Sequence, residues 1–467
     1  MIDVFVIFLI KIGMVDKNVS MFNTTIIVNI ISIYIILTSL IRKKTHGYFN
    51  TIFCIVYYIF LFGRVTLQYV FNYSTDNYAD VFARFNLISA YNAVVLALLF
   101  FIGIHAGMML RKGNRYRSKK KDNILKENEV YSDNSEIALI KTSNLVLLVS
   151  TIPLIINYIW QFLIELNIQS EPVGMMGHLF TLIGILADMF FICILIQLVL
   201  KKKHWVFYVS TVFYASMMTW GGRGKPALII LLLFIVYIKN VKPVKFNLIN
   251  VLLGYIALSL TSSIFLTIQN LRVFGTSYLI NNFFSGFIES ITTTNPILEI
   301  VYEVGVALSP LIQIMEIVPA YIDYQYGSTI IFSAIAGIPG LSKIIPESLS
   351  WQANVPAWIS KITGTTYGGT MAVDFYINFG YFSIIAAVVI GWFINMISES
   401  AYNYEKSKSV TMGRYVFTIA LMLPIIWWPR SSLMYFFGYV GRTWFIPLII
   451  YKYYNRKYVS NRQKIIT

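Results

Sequence analysis

The sequence predicts an all-α polytopic integral membrane protein. Three observations carry that fold class. Of 467 residues, 57% are apolar and only 12% charged, about half the charged share of an ordinary soluble domain. Apolar runs close to the roughly 20 residues that span a bilayer recur along the chain. Lys and Arg gather in alternate loops, as the positive-inside rule requires. A β-barrel would instead show shorter, alternating segments.

Eleven firm spans follow in order, at about 21–41, 52–71, 87–110, 142–164, 178–200, 203–220, 226–239, 246–268, 371–397, 412–429 and 433–451. Residues 2–14 form a short twelfth span or lie in the interface. They show neither the basic leader nor the small-residue cleavage site of a signal peptide. One set of loops carries "RKKTH" (42–46), "RKGNRYRSKKK" (111–121), "KKKH" (201–204), "KNVKPVK" (239–245), "EKSKS" (405–409) and the basic tail. These stay in the cytoplasm, so 72–86, 165–177, 221–225, 269–370 and 430–432 face outside. The net charge of +16 then reports topology and not a nucleic-acid partner. Cys54 and Cys193 lie inside apolar runs, which fits neither a disulfide framework nor a zinc site.

Three regions result: N-terminal spans over 1–268, a large external loop over 269–370, and C-terminal spans with a cytoplasmic tail over 371–467. The loop carries six acids and three bases yet stays rich in Ile, Leu, Phe and Tyr. Gly305 and Pro310 interrupt "NPILEIVYEVGVALSPLIQIMEIVPAY" (295–321), and 337–349 is turn-rich. Short helices lying on or dipping into the outer interface are expected there.

With most bases confined inside, the external ones stand out. Arg223 and Lys225 sit in "GGRGK", directly before Pro226, a residue favoured in a first helical turn. The following helix aims its N-terminus, with free N–H groups and a positive dipole end, outward. An anion site fits this pattern, and so does a tight turn with snorkelling cations. The spacing is not that of a Walker A loop. Arg272 opens the large loop. Arg430 follows in "WWPRSSLMYFFGYVGRTW", and Arg442 lies deep for a charge in the last span, as a cavity-facing or re-entrant residue would. Arginine suits bidentate recognition of phosphate oxygens, so a diphosphate at the membrane surface is the natural ligand. Arg223 and Arg430 are expected to converge on one cavity roofed by the loop. Arg64 and Asp188, both within spans, are expected to pair as buried ions. His178, at an outer span edge, has no supporting partner.

Glu299 and Glu303 are four apart, on one face if the segment is helical. Asp374 begins a span in "GTTYGGTMAVDFYINFG" (364–380), and Asp323 lies in "YIDYQYGS". A general base for a sugar hydroxyl would come from such acids, with Glu303 and Asp374 the better placed; salt bridging or loop solvation is the simpler role for each. Tyr321, Tyr324, Tyr326, Trp351, Trp358 and Tyr367 suit stacking on sugar faces or an aromatic belt.

At this point the chain resembles the bacterial polysaccharide polymerases of the Wzy type. The resemblance rests on "GGRGKPALIILLLF" (221–234), "YEVGVALSPLIQ" (302–313), "YQYGSTI" (324–330), "GTTYGGTMAVDFYINFG" and "WPRSSLMYFFGYVGR" (428–442), in that order around one large external loop. It covers roughly residues 200–445. It implies that the family's external arginines fall on Arg223 and Arg430, with Arg442 a further candidate. Its loop acid falls on Glu303 and its span-opening acid on Asp374, where glutamate is the more usual residue. The implied reaction elongates a glycan on undecaprenyl diphosphate by one lipid-linked repeat unit on the outer face of the cytoplasmic membrane. Arginines then stabilise the leaving lipid diphosphate, with no metal and no cofactor. The implied partners are lipid-linked glycans and membrane lipids, with a chain-length regulator as a further candidate.

Three other classes compete. An O-antigen-type ligase shares the arginine logic but usually carries a histidine in its large loop, and 269–370 contains none. A lipid-linked glycan flippase would favour central charges and short external loops. A metal-dependent glycosyltransferase would use paired acids in an early external loop, for which Asp76 and Asp80 are a faint match.

Overall fold

A computed structural model describes residues 21–42, 47–73, 85–110, 121–165, 174–201, 203–218, 224–242, 247–272, 274, 276–293, 295–338, 341–364, 368–407 and 411–466. Among these residues the chain is helix and turn, with no strand. Ten helices are long and apolar enough to cross a membrane, in keeping with an all-α, multi-pass membrane protein. Nine of them fall on expected spans. The other two expected spans are the shorter helices His204–Met218 and Gly224–Asn240. At about 1.5 Å per residue, the second is about 25 Å long, a little under the hydrocarbon core. Residues 2–14 lie outside the described residues.

The tenth helix, Ile297–Ile317, falls within the 269–370 segment. Gly305 and Pro310 do not break it. A single 3-10 turn, Gly305–Leu308, joins Pro296–Val304 to Ser309–Ile317. Pro310 enters at the start of the second piece, where a missing N–H costs nothing. Among its other described residues, Thr276–Thr293 is a helix of 18 residues, and short helices follow, among them Ser328–Gly337 and Val355–Thr363.

The chain divides into two compact units, each built from separated stretches. The first comprises 1–116, 301–406 and 424–438; the second comprises 117–300, 407–423 and 439–467.

In the first unit, the helices Leu87–Leu110 and Ser383–Ser407 meet through small residues. Gly103 and Gly107 stand one turn apart, as do Ala387 and Gly391. A Cβ added to Gly107 would strike the Val388 carbonyl, and one added to Gly391 would strike the Ile104 carbonyl. Glycine alone permits this backbone-to-backbone contact, which drives helix association where lipid removes the hydrophobic incentive. Ser383–Ser407 also meets the helix Phe49–Tyr69, where the buried Asn50 Nδ2 donates to Asn395 Oδ1 at 2.8 Å.

In the second unit, the long helix Lys121–Glu165 packs along Ile446–Ile466. Ser135 Oγ lies 2.9 Å from the Tyr451 hydroxyl between them. The helices His204–Met218 and Gly224–Asn240 are joined by His204 Nδ1 and the Tyr237 hydroxyl at 2.9 Å, and by Phe207 stacked on Tyr237. The helix Leu248–Arg272 leaves Leu248, Leu252, Leu253, Ile256 and Leu258 exposed. An apolar face of that extent suits lipid better than water.

Candidate active site

The segments singled out in the sequence meet in pairs, and each pair lies within one unit. In the second unit, Lys225 meets Tyr439 and shares an acid with Arg442. The helix Gly174–Asp188 ends at its acid, and Met189 forms a turn before Phe190–Ile196 resumes. The last span is likewise interrupted: Gly441–Phe445 is a π-helical turn carrying Arg442. Such one-turn bulges widen a helix locally and recur at functional sites. Asp188 Oδ2 accepts from Arg442 Nη1 at 3.1 Å, and Asp188 Oδ1 accepts from Lys225 Nζ. The Lys225 ammonium also lies 4.4 Å from the centre of the Tyr439 ring. One acid is thus shared by two bases from sequence-distant motifs, and the cluster keeps a formal positive excess. The Asp188, Lys225 and Arg442 side chains are 14%, 39% and 25% exposed.

This corrects the expected Arg64–Asp188 pair. Hydropathy places both charges in spans but does not say which face each presents. Arg64 belongs to the first unit and is 2% exposed. Its guanidinium lies 4.2 Å from the Tyr302 ring centre and donates to the Tyr302 hydroxyl at 3.2 Å. Gly305 makes this possible. A Cβ there would come within 2.5 Å of the Arg64 backbone nitrogen, so the "YEVGVAL" segment lies flat against the helix Phe49–Tyr69.

Also in the first unit, "YQYGSTI" meets "DFYINFG". Gln325 N–H donates to the Ile377 carbonyl and Tyr326 N–H to the Asn378 carbonyl. Asn378 Oδ1 accepts from Gly327 N–H at 2.8 Å, and its Nδ2 donates to Thr329 Oγ1 at 2.6 Å. The clamp holds Tyr326 at φ 47°, a left-handed conformation uncommon for a non-glycine residue. Tyr326 is 81% exposed. Tyr324 is half-buried and packs edge-on against Tyr376.

The second pair in this unit joins "GGTMAVD" (368–374) to "WPRSSL" (428–433). Arg430 ends the 3-10 turn Trp428–Arg430, its guanidinium 5.9 Å from the centre of the Phe60 ring. Phe60 also packs edge-on against Trp427. Asp374 lies in the first turn of Met371–Phe379, buried at 4% exposure. Its Oδ2 accepts from Trp428 Nε1 at 3.4 Å.

Among the other acids, Glu299 is buried and Glu303 half-buried, one turn apart on Pro296–Val304. Glu316 accepts from the Asn86 N–H at 2.8 Å, next to the start of Leu87–Leu110, which is a structural role. Asp323 is exposed. Arg223, Tyr367, Asp76 and Asp80 lie outside the described residues, as do the side chains of Arg272 and His178. Arg272 closes the helix Leu248–Arg272. Among the described residues, no three His, Cys, Asp or Glu side chains gather as a metal site would need.

Sequence reasoning missed the sharing of Asp188, the clamp at Asn378 and the contact of Asp374 with Trp428. Only the first left a trace, an acid in the middle of an apolar run, "ILADMFF".

None of the curated proteins and none of the solved structures matches the chain. A family match does extend over nearly its whole length, through the paired motifs of both units. The chain belongs to the family described as O-antigen polysaccharide polymerase Wzy, which matches residues 1–459.

Proposed function

We propose that this polymerase joins oligosaccharide repeat units carried on undecaprenyl diphosphate, at the outer face of the bacterial cytoplasmic membrane. A hydroxyl of one lipid-linked unit attacks the anomeric carbon of the growing glycan. The new glycosidic C–O bond forms as the bond from that carbon to the diphosphate oxygen breaks. The hydroxyl proton passes to a base, for which Glu303 is the candidate, and the lipid diphosphate leaves with the bonding electrons. Fixed cations that meet this developing charge lower the barrier without reorganising.

Donor and acceptor each carry a diphosphate, so several basic residues have phosphate oxygens to serve. Arg223, Lys225, Arg272, Arg430 and Arg442 are assigned to them. One observation carries this assignment. Lys225 and Arg442 already hold a two-oxygen anionic group between them, the carboxyl of Asp188. Arginine geometry suits phosphate in the same way. The outer-face placement is supported by the distribution of Lys and Arg among the loops. Tyr324, Tyr326 and Tyr367 are assigned to sugar faces, and the exposed, backbone-clamped ring of Tyr326 is the best supported of the three. A chain-length regulator is a further candidate partner.

Deleting the gene and resolving surface polysaccharide on gels tests this reading. Loss of the ladder with single repeat units retained is expected. A full-length polymer that stays on its lipid carrier would instead indicate a ligase. Re-expressed Arg430→Ala should leave single units only, at normal membrane abundance, and Arg430→Lys should restore a short ladder.

A further inference from the structure

Asp374 is the acid that the sequence offers as a base beside the span-opening glycines, and its surroundings suit a different task. A general base must come within hydrogen-bond reach of the proton that it removes. Asp374 is buried, and Trp428 Nε1 donates to its Oδ2 at 3.4 Å. Trp428 opens the 3-10 turn that Arg430 ends. The acid therefore holds the start of the short turn that carries the arginine.

The turn is fixed from other sides as well. Gly369 lies so close that a Cβ there would sit 2.9 Å from the Ser432 Cβ. The Trp428 ring stacks on Phe436 with centroids 4.2 Å apart. Thr370 caps the helix that bears Asp374 by accepting from the Val373 N–H, which fixes the acid in turn. A guanidinium at the end of such a turn moves with its backbone, and bidentate recognition tolerates little displacement.

We propose that Asp374 is a positioning residue that acts through Arg430, by holding the Trp428–Arg430 turn in the geometry the arginine needs. This rests on the reading of Arg430 as a phosphate-binding residue. Gly369 and the acid of "GTTYGGTMAVD" thereby have one role, as the seat for "WPRSSL".

A double-mutant cycle on the full-length protein in membranes tests the proposal. The probe is the lipid-linked repeat unit extracted from the deletion strain, and the readout is the initial polymerisation rate per mole of protein. Asp374→Asn keeps the shape but offers the Trp428 Nε1–H one acceptor oxygen in place of two. A rate loss of roughly 10- to 100-fold is expected, the size of a displacement of about 1 Å at a site of chemistry. Arg430→Ala should lose at least as much. The double variant should then be no slower than Arg430→Ala alone, because Asp374 has nothing left to position. Trp428→Phe keeps the stacked ring and removes one donor, so it should lose about 10-fold in rate, again with no added loss in the Arg430→Ala background. If Asp374→Asn fails to reach the membrane, the Trp428→Phe pair decides alone.

Wild-type rates in both Asp374→Asn and Trp428→Phe would overturn the proposal. So would multiplicative losses in the double variants, which would give Asp374 a role of its own, while leaving the reading of Arg430 intact. A fully active Arg430→Ala is a different failure: it removes the phosphate reading itself, and this inference with it.

Discussion

Replacing Asp188 by Asn is the sharpest single perturbation of the second unit. The side chain keeps its shape and loses its charge, so Lys225 and Arg442 face each other with only one acceptor oxygen to share. The magnitude follows from their separation and exposure. Opposite charges about 4 Å apart attract by about 4 kcal/mol at an effective dielectric near 20. Lys225 is 39% exposed and Arg442 25%, and exposed pairs measure only about 0–1 kcal/mol. The lysine pair should therefore lie near the lower figure and the arginine pair above it. A total loss of about 2 kcal/mol is expected, or roughly 4 °C in unfolding midpoint at about 2 °C per kcal/mol for a large domain.

Thermal unfolding of the full-length protein in detergent, at one fixed scan rate, measures this. Two further arms make the reasoning specific. Adding Arg442→Gln removes one of the opposed cations, so the double variant should lose less than the sum of the two single losses. Inorganic diphosphate at about 10 mM should raise the midpoint of Asp188→Asn more than that of the wild-type protein, because it replaces the missing anion. An unchanged midpoint in Asp188→Asn would refute the electrostatic account. Strictly additive losses would show that Asp188 and Arg442 do not act together.

Two other outcomes follow from the first unit. Gly305→Ala places a Cβ 2.5 Å from the Arg64 backbone nitrogen, and backbone cannot yield as a side-chain tip can. Destabilisation at the upper end of about 1–3 kcal/mol is expected, read as lower membrane abundance and unfolding midpoint; normal values for both would show that the contact is not tight. Tyr326→Gly should stabilise by about 1 kcal/mol, because φ 47° suits glycine. It should nonetheless slow polymerisation, whereas Tyr326→Phe keeps the rate; a Gly variant that polymerises at the full rate would remove Tyr326 from sugar binding.

The helical, multi-pass architecture was legible because hydropathy and loop charge act along the chain, one span at a time. Two features were not legible, for different reasons. Gly305 and Pro310 read as helix breakers, yet the chain absorbs Gly305 in the single 3-10 turn Gly305–Leu308, where it contacts Arg64, and Pro310 in the first turn of Ser309–Ile317. Arg64 and Asp188 read as natural partners, since each is a charge in an apolar run. Which face of a helix a charge presents is set by packing against residues far away in sequence. Asp188 found Lys225 and Arg442, and Arg64 found the Tyr302 ring. The small-residue spacing at Gly103 and Gly107 was on the page too, but its meaning depends on the matching Ala387 and Gly391, nearly 300 residues later along the chain.

The segments by which the chain resembles its family divide, in three dimensions, into residues that hold and residues that are held. Gly305 lies against Arg64, Gly369 against Ser432, and Asn378 clamps the 325–329 turn. These side chains, with Asp374, fill their hydrogen bonds or their space against other protein groups. What they present is a short set: Tyr326 with an exposed ring, Arg430 at the end of a braced turn, and Lys225 with Arg442 around a shared acid. On the proposed reading, cations and flat sugar-binding surfaces must be held still while a bulky glycan passes. Asn378 does this for Tyr326, and Asp374 with Gly369 for Arg430. The motifs then read as longer than the chemistry requires because half of every motif is scaffold for the other half.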